Sequence, residues 1–221
     1  MRNKPRHEIQ RARQRAHYDE AIVHAVLDAS WLAHVAFSGD GGQPFVIPML
    51  HAREGRSLLL HGSIASRLMR RLGDGVEACV AVTVIDALVL ARSHFHHSVN
   101  YRSVVAFGRA QPVTDDRDKA MALARFVDII VPGRAAESRE ADHNELAATA
   151  LLRFDIEAAS AKIRSGGPKD DPADAGAPIW SGIVPIESRL GAPIAAADAT
   201  PGIDVPASLL RSGCRAHVMH E

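Results

Sequence analysis

Only two of the 221 residues are cysteine, Cys79 and Cys214, and they stand far apart in no metal-binding spacing. Cys79 lies inside an apolar stretch and reads as an inert core thiol. Net charge is missing too, because 26 Lys and Arg offset 26 Asp and Glu. No global field therefore draws the chain to nucleic acid or to an anionic membrane. No apolar run approaches about 20 residues and the start is polar, so we expect a soluble, cytoplasmic protein. The G-x-G-x-x-G fingerprint, the Walker phosphate loop and the G-x-S-x-G elbow are all absent. There is no internal repeat, and Asp86 and the acids near Asp115 form no pair of the kind hydrolysis uses.

What is present is a succession of short apolar segments divided by turn residues. Positive charge gathers at the start in Arg2, Lys4, Arg6, Arg11, Arg13 and Arg15. We read residues 1–17 as a basic, solvated arm. Residues 18–28 read as a short amphipathic helix and 31–37 as an alternating strand. Ser38-Gly-Asp-Gly-Gly42 supplies a hairpin turn, and 45–51 returns as a second strand. Pro48 removes a backbone donor there, which predicts an edge position or a bulge. Residues 57–61 form the third strand, 63–72 a helix closed by Gly73, 76–90 and 99–113 two long strands. A helix is expected over 115–130, extended structure over 151–162, and an apolar segment over 179–186 after a Pro/Gly loop. From Gly191 the chain is Ala/Pro-rich and expected to be loosely ordered. One domain over 18–190, between the arm and a tail at 191–221, follows. Turns this short exclude the crossovers of a parallel sheet. The class is an all-β core with peripheral helices: a six-stranded antiparallel barrel.

Four clusters can carry chemistry. His61-Gly62-Ser63 ends a strand and runs into a helix carrying Ser66 and Arg67. Hydroxyls and a guanidinium fork there suit a phosphate; the alternative is a plain Ser63 cap and a solvated Arg67. His94-x-His96-His97 falls short of the three or four fixed ligands a transition metal needs, so we expect these side chains to line a ligand mouth and hold no structural metal. On a strand His94 and His96 would share one face. Asn100-Tyr101-Arg102-Ser103 leads into the apolar run Val104 to Phe107. Tyr101 and Ser103 share one strand face and Asn100 and Arg102 the other; alternatively Arg102 simply pairs with a carboxylate. Trp180 follows an acidic, proline-rich loop and can stack on a planar ring or anchor packing.

In their order, these segments resemble the pyridoxamine 5′-phosphate oxidase-like family of split-barrel flavoproteins. The branch is that of flavin-nucleotide-binding and nitroimidazole-resistance-type proteins. The resemblance spans residues 18–185 and implies the FMN-binding split barrel, with FMN as cofactor or FAD as the alternative. It implies that Val46, Ile47, Pro48 and Met49 lie along the flavin ring. His61, Gly62, Ser63, Ser66 and Arg67 would take the ribityl chain and phosphate. His96, His97, Asn100, Tyr101, Arg102, Ser103 and Trp180 would complete the site, the strand of Arg102-Ser103 reaching across a homodimer interface. The implied activity is a flavin-dependent oxidoreductase acting on a small planar substrate, with no catalytic residue identified; a non-catalytic flavin- or haem-binding sensor or carrier is the alternative. Ser103 stands where the oxidase has Gln, and its basic residue at the ring-contacting strand and C-terminal substrate segment have no counterpart. Vitamin B6 oxidation is therefore not expected.

Overall fold

A computed structural model describes residues 5–212. Arg2, Lys4 and Cys214 lie outside these. In chain order the elements are β1 (Ala16–His17), α1 (Glu20–Asp28), β2 (Leu32–Ser38), β3 (Pro44–Leu50), β4 (Ala52–Glu54), β5 (Ser57–Ser63), α2 (Arg67–Gly73), β6 (Glu77–Leu90), β7 (Ser98–Pro112), α3 (Asp116–Ile130), α4 (His143–Ala148), β8 (Thr149–Arg164), β9 (Gly182–Pro185) and α5 (Ala207–Ser212). All strands pair antiparallel in the order β3-β2-β6-β7-β8-β5-β4, with β1 on β8 and β9 on β6. The six long strands β2, β3, β5, β6, β7 and β8 curl into the expected split barrel.

Local chemistry explains the elements. Asp19 caps α1, its Oδ1 accepting from the Ala21 and Ile22 amides at 2.9 and 3.2 Å, and Val23, Val26 and Leu27 bury the inner face. Gly41 and Gly42 take φ of 73° and 81° to turn β2 into β3, a conformation that favours glycine. Asp115 caps α3 by accepting from the Asp118 amide at 3.0 Å. In β7, Gly108 sits where the register with β8 shifts; a Cβ there would lie 1.9 Å from the Asp155 carbonyl oxygen.

The barrel core joins Val35, Leu58, Leu60, Val80, Val82, Val104 and Phe154, all fully buried. Each contributes about 1.5–3 kcal/mol by leaving water. A second cluster outside the barrel packs Leu59 and Leu151 under Phe126 and Ala122 of α3. Among the described residues no helix is long and apolar enough to cross a membrane.

Three expectations need correction. The helix after β5 starts at Arg67, so Ser63 is the end of a strand and Ser66 occupies the N-cap. Cys79 is not a core residue: Ala78 and Val80 face inward, and Cys79 pairs with Phe107 on the outer surface, only partly buried. His94–His96 form a 3₁₀ turn between β6 and β7, so strand alternation does not describe them. The basic arm packs on that outer surface, with Arg6 bonded to Glu77 and Glu157 and its guanidinium 4.8 Å from the Phe107 ring centre.

Candidate functional site

The expected residues fall into two groups. The first is built by β3, the end of β5 and the start of α2. Because β3 pairs only with β2, Pro48 sits on a sheet edge, where a missing donor is tolerated. Phe45, Ile47 and Met49 pack on the core while Val46, Pro48 and Leu50 turn outward. The Arg67 guanidinium lies 5.0 Å from the centre of the Phe45 ring, which joins α2 to β3. No carboxylate pairs with Arg67 among the described residues. The Ser63 carbonyl accepts from the Ser66 amide at 2.9 Å, and Ser63 Oγ accepts from Ala65 N–H at 3.2 Å. The Ser66 hydroxyl makes no cap bond, so it is available to a ligand.

His61 turns the other way. It shares the Leu59 face of β5, and its ring meets Phe126 edge-on at 4.4 Å. Its Nδ1 is buried without a hydrogen-bond partner, and burial pushes its pKa below the ordinary histidine value. Only Gly62, against Met69, faces the Arg67 side of the strand.

The second group stands at the other end of β8 from Ser63. Asp86 forms a bulge between Ile85 and Ala87 and receives Arg102 in a fork, Nε to Oδ2 at 3.0 Å and Nη2 to Oδ1 at 2.8 Å. Asn100, 8% exposed, accepts from buried Arg164, which also donates to the Gly166 and Gly167 carbonyls at 3.3 Å. Tyr101 and Ser103 point to the other face, Ser103 donating to the Lys162 carbonyl at 3.3 Å. The histidine turn is closed by Ser93, whose hydroxyl lies 2.9 Å from His96 Nδ1 and whose carbonyl lies 2.8 Å from His97 Nδ1. Trp180 is exposed, its ring lying against the position a Cβ of Gly182 would take. Asp170 ties its loop to this rim, accepting from Arg92 N–H at 2.8 Å and from the Arg92 guanidinium at 2.5 Å. Among the described residues no three His, Cys, Asp or Glu side chains gather as a metal site.

The sequence reading missed Arg164 and Asp170, and left Arg102's partner unnamed. A signal existed for the last: Asp86 is the one acid inside the apolar run of β6, and such a carboxylate needs a cation. The Ser63 end of the first group stands far from the second, whereas β3 runs level with β7: Pro48 pairs with His34, His34 with Ala81 and Ala81 with Val105. Ser63 pairs with Thr149 and Ser103 with Lys162, both on β8. At about 3.3 Å per residue those β8 positions are separated by about 40 Å of strand.

The profile of the pyridoxamine 5′-phosphate oxidase family matches residues 19–163. Two solved structures are similar over nearly the whole chain. The flavocytochrome Anf3 from Azotobacter vinelandii is 37% identical, with 95% of this chain and 97% of that one covered and a TM-score of 0.87. The FAD and haem binding protein from Mycobacterium smegmatis is 36% identical, with 90% and 97% covered and a TM-score of 0.85. A candidate 5-nitroimidazole antibiotic resistance protein from Bacteroides thetaiotaomicron shares the fold alone, at 16% identity, 67% and 86% coverage and a TM-score of 0.57. No curated protein matches the chain. With its split barrel, its edge strand and its open Ser66-Arg67 corner, the chain belongs to the pyridoxamine 5′-phosphate oxidase-like family of flavin-binding proteins.

Proposed function

We propose that the protein is a homodimeric, cytoplasmic flavin oxidoreductase. Its flavin would lie where the Val46–Arg67 corner of one protomer meets the Asn100–Ser103 strand of its partner. The observation that supports this reading is the distance along β8 between the Ser63 end of the first group and the Asn100–Ser103 strand. A two-fold axis would bring them together twice and give two equivalent sites. We place FAD ahead of FMN, because the M. smegmatis relative is an FAD and haem binding protein. Both relatives near 36–37% identity are haem proteins by name, which makes haem the second expected cofactor.

Bound flavin and haem would supply the electron chemistry themselves, leaving the protein to bind, orient and exclude water. Among the described residues Arg67 has no acidic partner, so its charge is available to a phosphate, with the Ser66 hydroxyl beside it. Val46 and Pro48 offer an apolar edge to a planar ring. Asp86 holds Arg102 in one orientation, which would present its strand without rearrangement. A small planar substrate would then approach past the histidine turn and Trp180.

Arg67→Ala should weaken flavin binding by about 1.5–3 kcal/mol, one to two decades, on loss of a charge-assisted contact. Arg117→Ala, on α3, should leave affinity unchanged. Equal affinity of the two variants by fluorescence titration removes Arg67 from the site. Turnover of NAD(P)H with an electron acceptor would separate an oxidoreductase from a carrier.

A further inference from the structure

One histidine of the turn between β6 and β7 is prepared as a metal ligand. His97 Nδ1 lies 2.8 Å from the Ser93 carbonyl oxygen. A carbonyl only accepts, so in the neutral ring Nδ1 carries the proton and Nε2 keeps its lone pair. A ring nitrogen bound to a backbone carbonyl is the usual support of a metal-ligating histidine, since it sets both tautomer and ring direction. His97 is exposed, whereas His51, the other histidine held by backbone carbonyls, is buried. His96 differs again: its Nδ1 faces the Ser93 hydroxyl, which donates or accepts, so no tautomer is imposed.

The surroundings narrow the metal. A bare zinc ion takes three or four protein ligands, and no such set gathers among the described residues. A single prepared imidazole suits an iron that brings its own equatorial nitrogens, as haem does. An apolar platform lies at the same level. Leu88 pairs with both Val99 and Val184, so these three share one face. Ser98 pairs with Val89, so His97, one residue before it, stands beside the Leu90 end of β6. Gly182 pairs with Leu90 and carries the Trp180 ring against it. Leu88, Val184 and Trp180 are 41, 41 and 65% exposed, more apolar surface than a strand end needs.

We propose that His97 Nε2 is the axial ligand of a haem iron whose macrocycle lies on the platform of Leu88, Val99, Trp180 and Val184. This assignment rests on the haem-binding part of the proposed function. The test is titration of the purified full chain with ferric protoporphyrin IX, followed by absorption and electron paramagnetic resonance, with flavin quantified alongside. Wild type and His94→Ala should take up haem with a nitrogen-ligated signature. His97→Ala should bind it roughly tenfold or more weakly, lose that signature, keep its flavin, and regain the signature on addition of imidazole. Should His97→Ala melt early, His97→Tyr should replace the nitrogen signature with a phenolate one. An unchanged nitrogen-ligated spectrum in either variant overturns the assignment. Wild type that holds flavin but takes up no haem overturns the haem-binding reading itself, and this inference with it.

Discussion

At the scale of single residues, two histidines bear on the response to acid. His51 is 2% exposed, with its Nδ1 3.1 Å from the Trp31 carbonyl and its Nε2 3.2 Å from that of Leu27. A neutral imidazole has one N–H for these two acceptors. Protonation would satisfy both, yet burial costs more and holds the pKa below 6.5. His61 is lowered by burial alone. In the unfolded chain both protonate near 6.5, while in the native state they stay neutral. Below that pH the unfolded chain therefore binds more protons, and stability falls until the native pKa values are passed. The melting temperature should be flat above about pH 7 with respect to these groups and decline as pH drops below about 6.5. His61→Phe should remove part of that decline and keep neutral-pH stability, since it replaces an orphaned polar atom among apolar neighbours. An identical pH slope in wild type and variant, by calorimetry, would exclude His61.

Among the elements, β9 depends on one carboxylate. β9 is four residues long and pairs only with β6, and its preceding loop is anchored by Asp170 on Arg92. The Arg92 amide, its guanidinium and Ser181 hold the Asp170 carboxyl below the usual carboxylate range. The tie is thus in place above the ordinary carboxylate pKa and is lost as pH falls through the depressed one. Asp170→Ala should raise hydrogen exchange in 165–185 and open that loop to proteolysis, while the strands of the barrel core keep their protection. Uniformly faster exchange across β6 and β7 would instead make Asp170 part of the global fold.

For the whole molecule, the outer sheet surface carries exposed apolar side chains. Leu32, Val46, Leu50 and Ile85 are each more than 40% exposed, on β2, β3 and β6. Apolar surface of this kind is the usual mark of an interface, and we read it as the dimer face of the proposed function. Light scattering should give a dimer. Val46→Asp and Ile85→Asp should each shift it to monomer and weaken flavin binding at least about tenfold, because a shared site is lost with its second wall. Arg67→Ala should leave the dimer intact. A monomer that still binds flavin tightly would count against the shared site.

The sequence by itself determined the strand series and most turns, because those signals are local. Gly41 and Gly42 mark a positive-φ turn, Asp19 and Asp115 cap helices, and Pro48 excludes a central strand. The Ser66-Arg67 corner proposed for a phosphate was legible for the same reason, as neighbours in the chain. Only tertiary structure decided which way alternating residues face. A period of two separates Cys79 from Val80 and His61 from Leu60 but leaves open which pair is inside. The packing of α3 on Leu59 turned His61 outward from the barrel, and the inner position of Ala78 and Val80 put Cys79 under Arg6. The bulge at Asp86, the link from Arg164 to Asn100, and the distance from Ser63 to Ser103 along β8 likewise depend on strand pairing. Such pairings join residues tens of positions apart, and their geometry exists only once the sheet has closed.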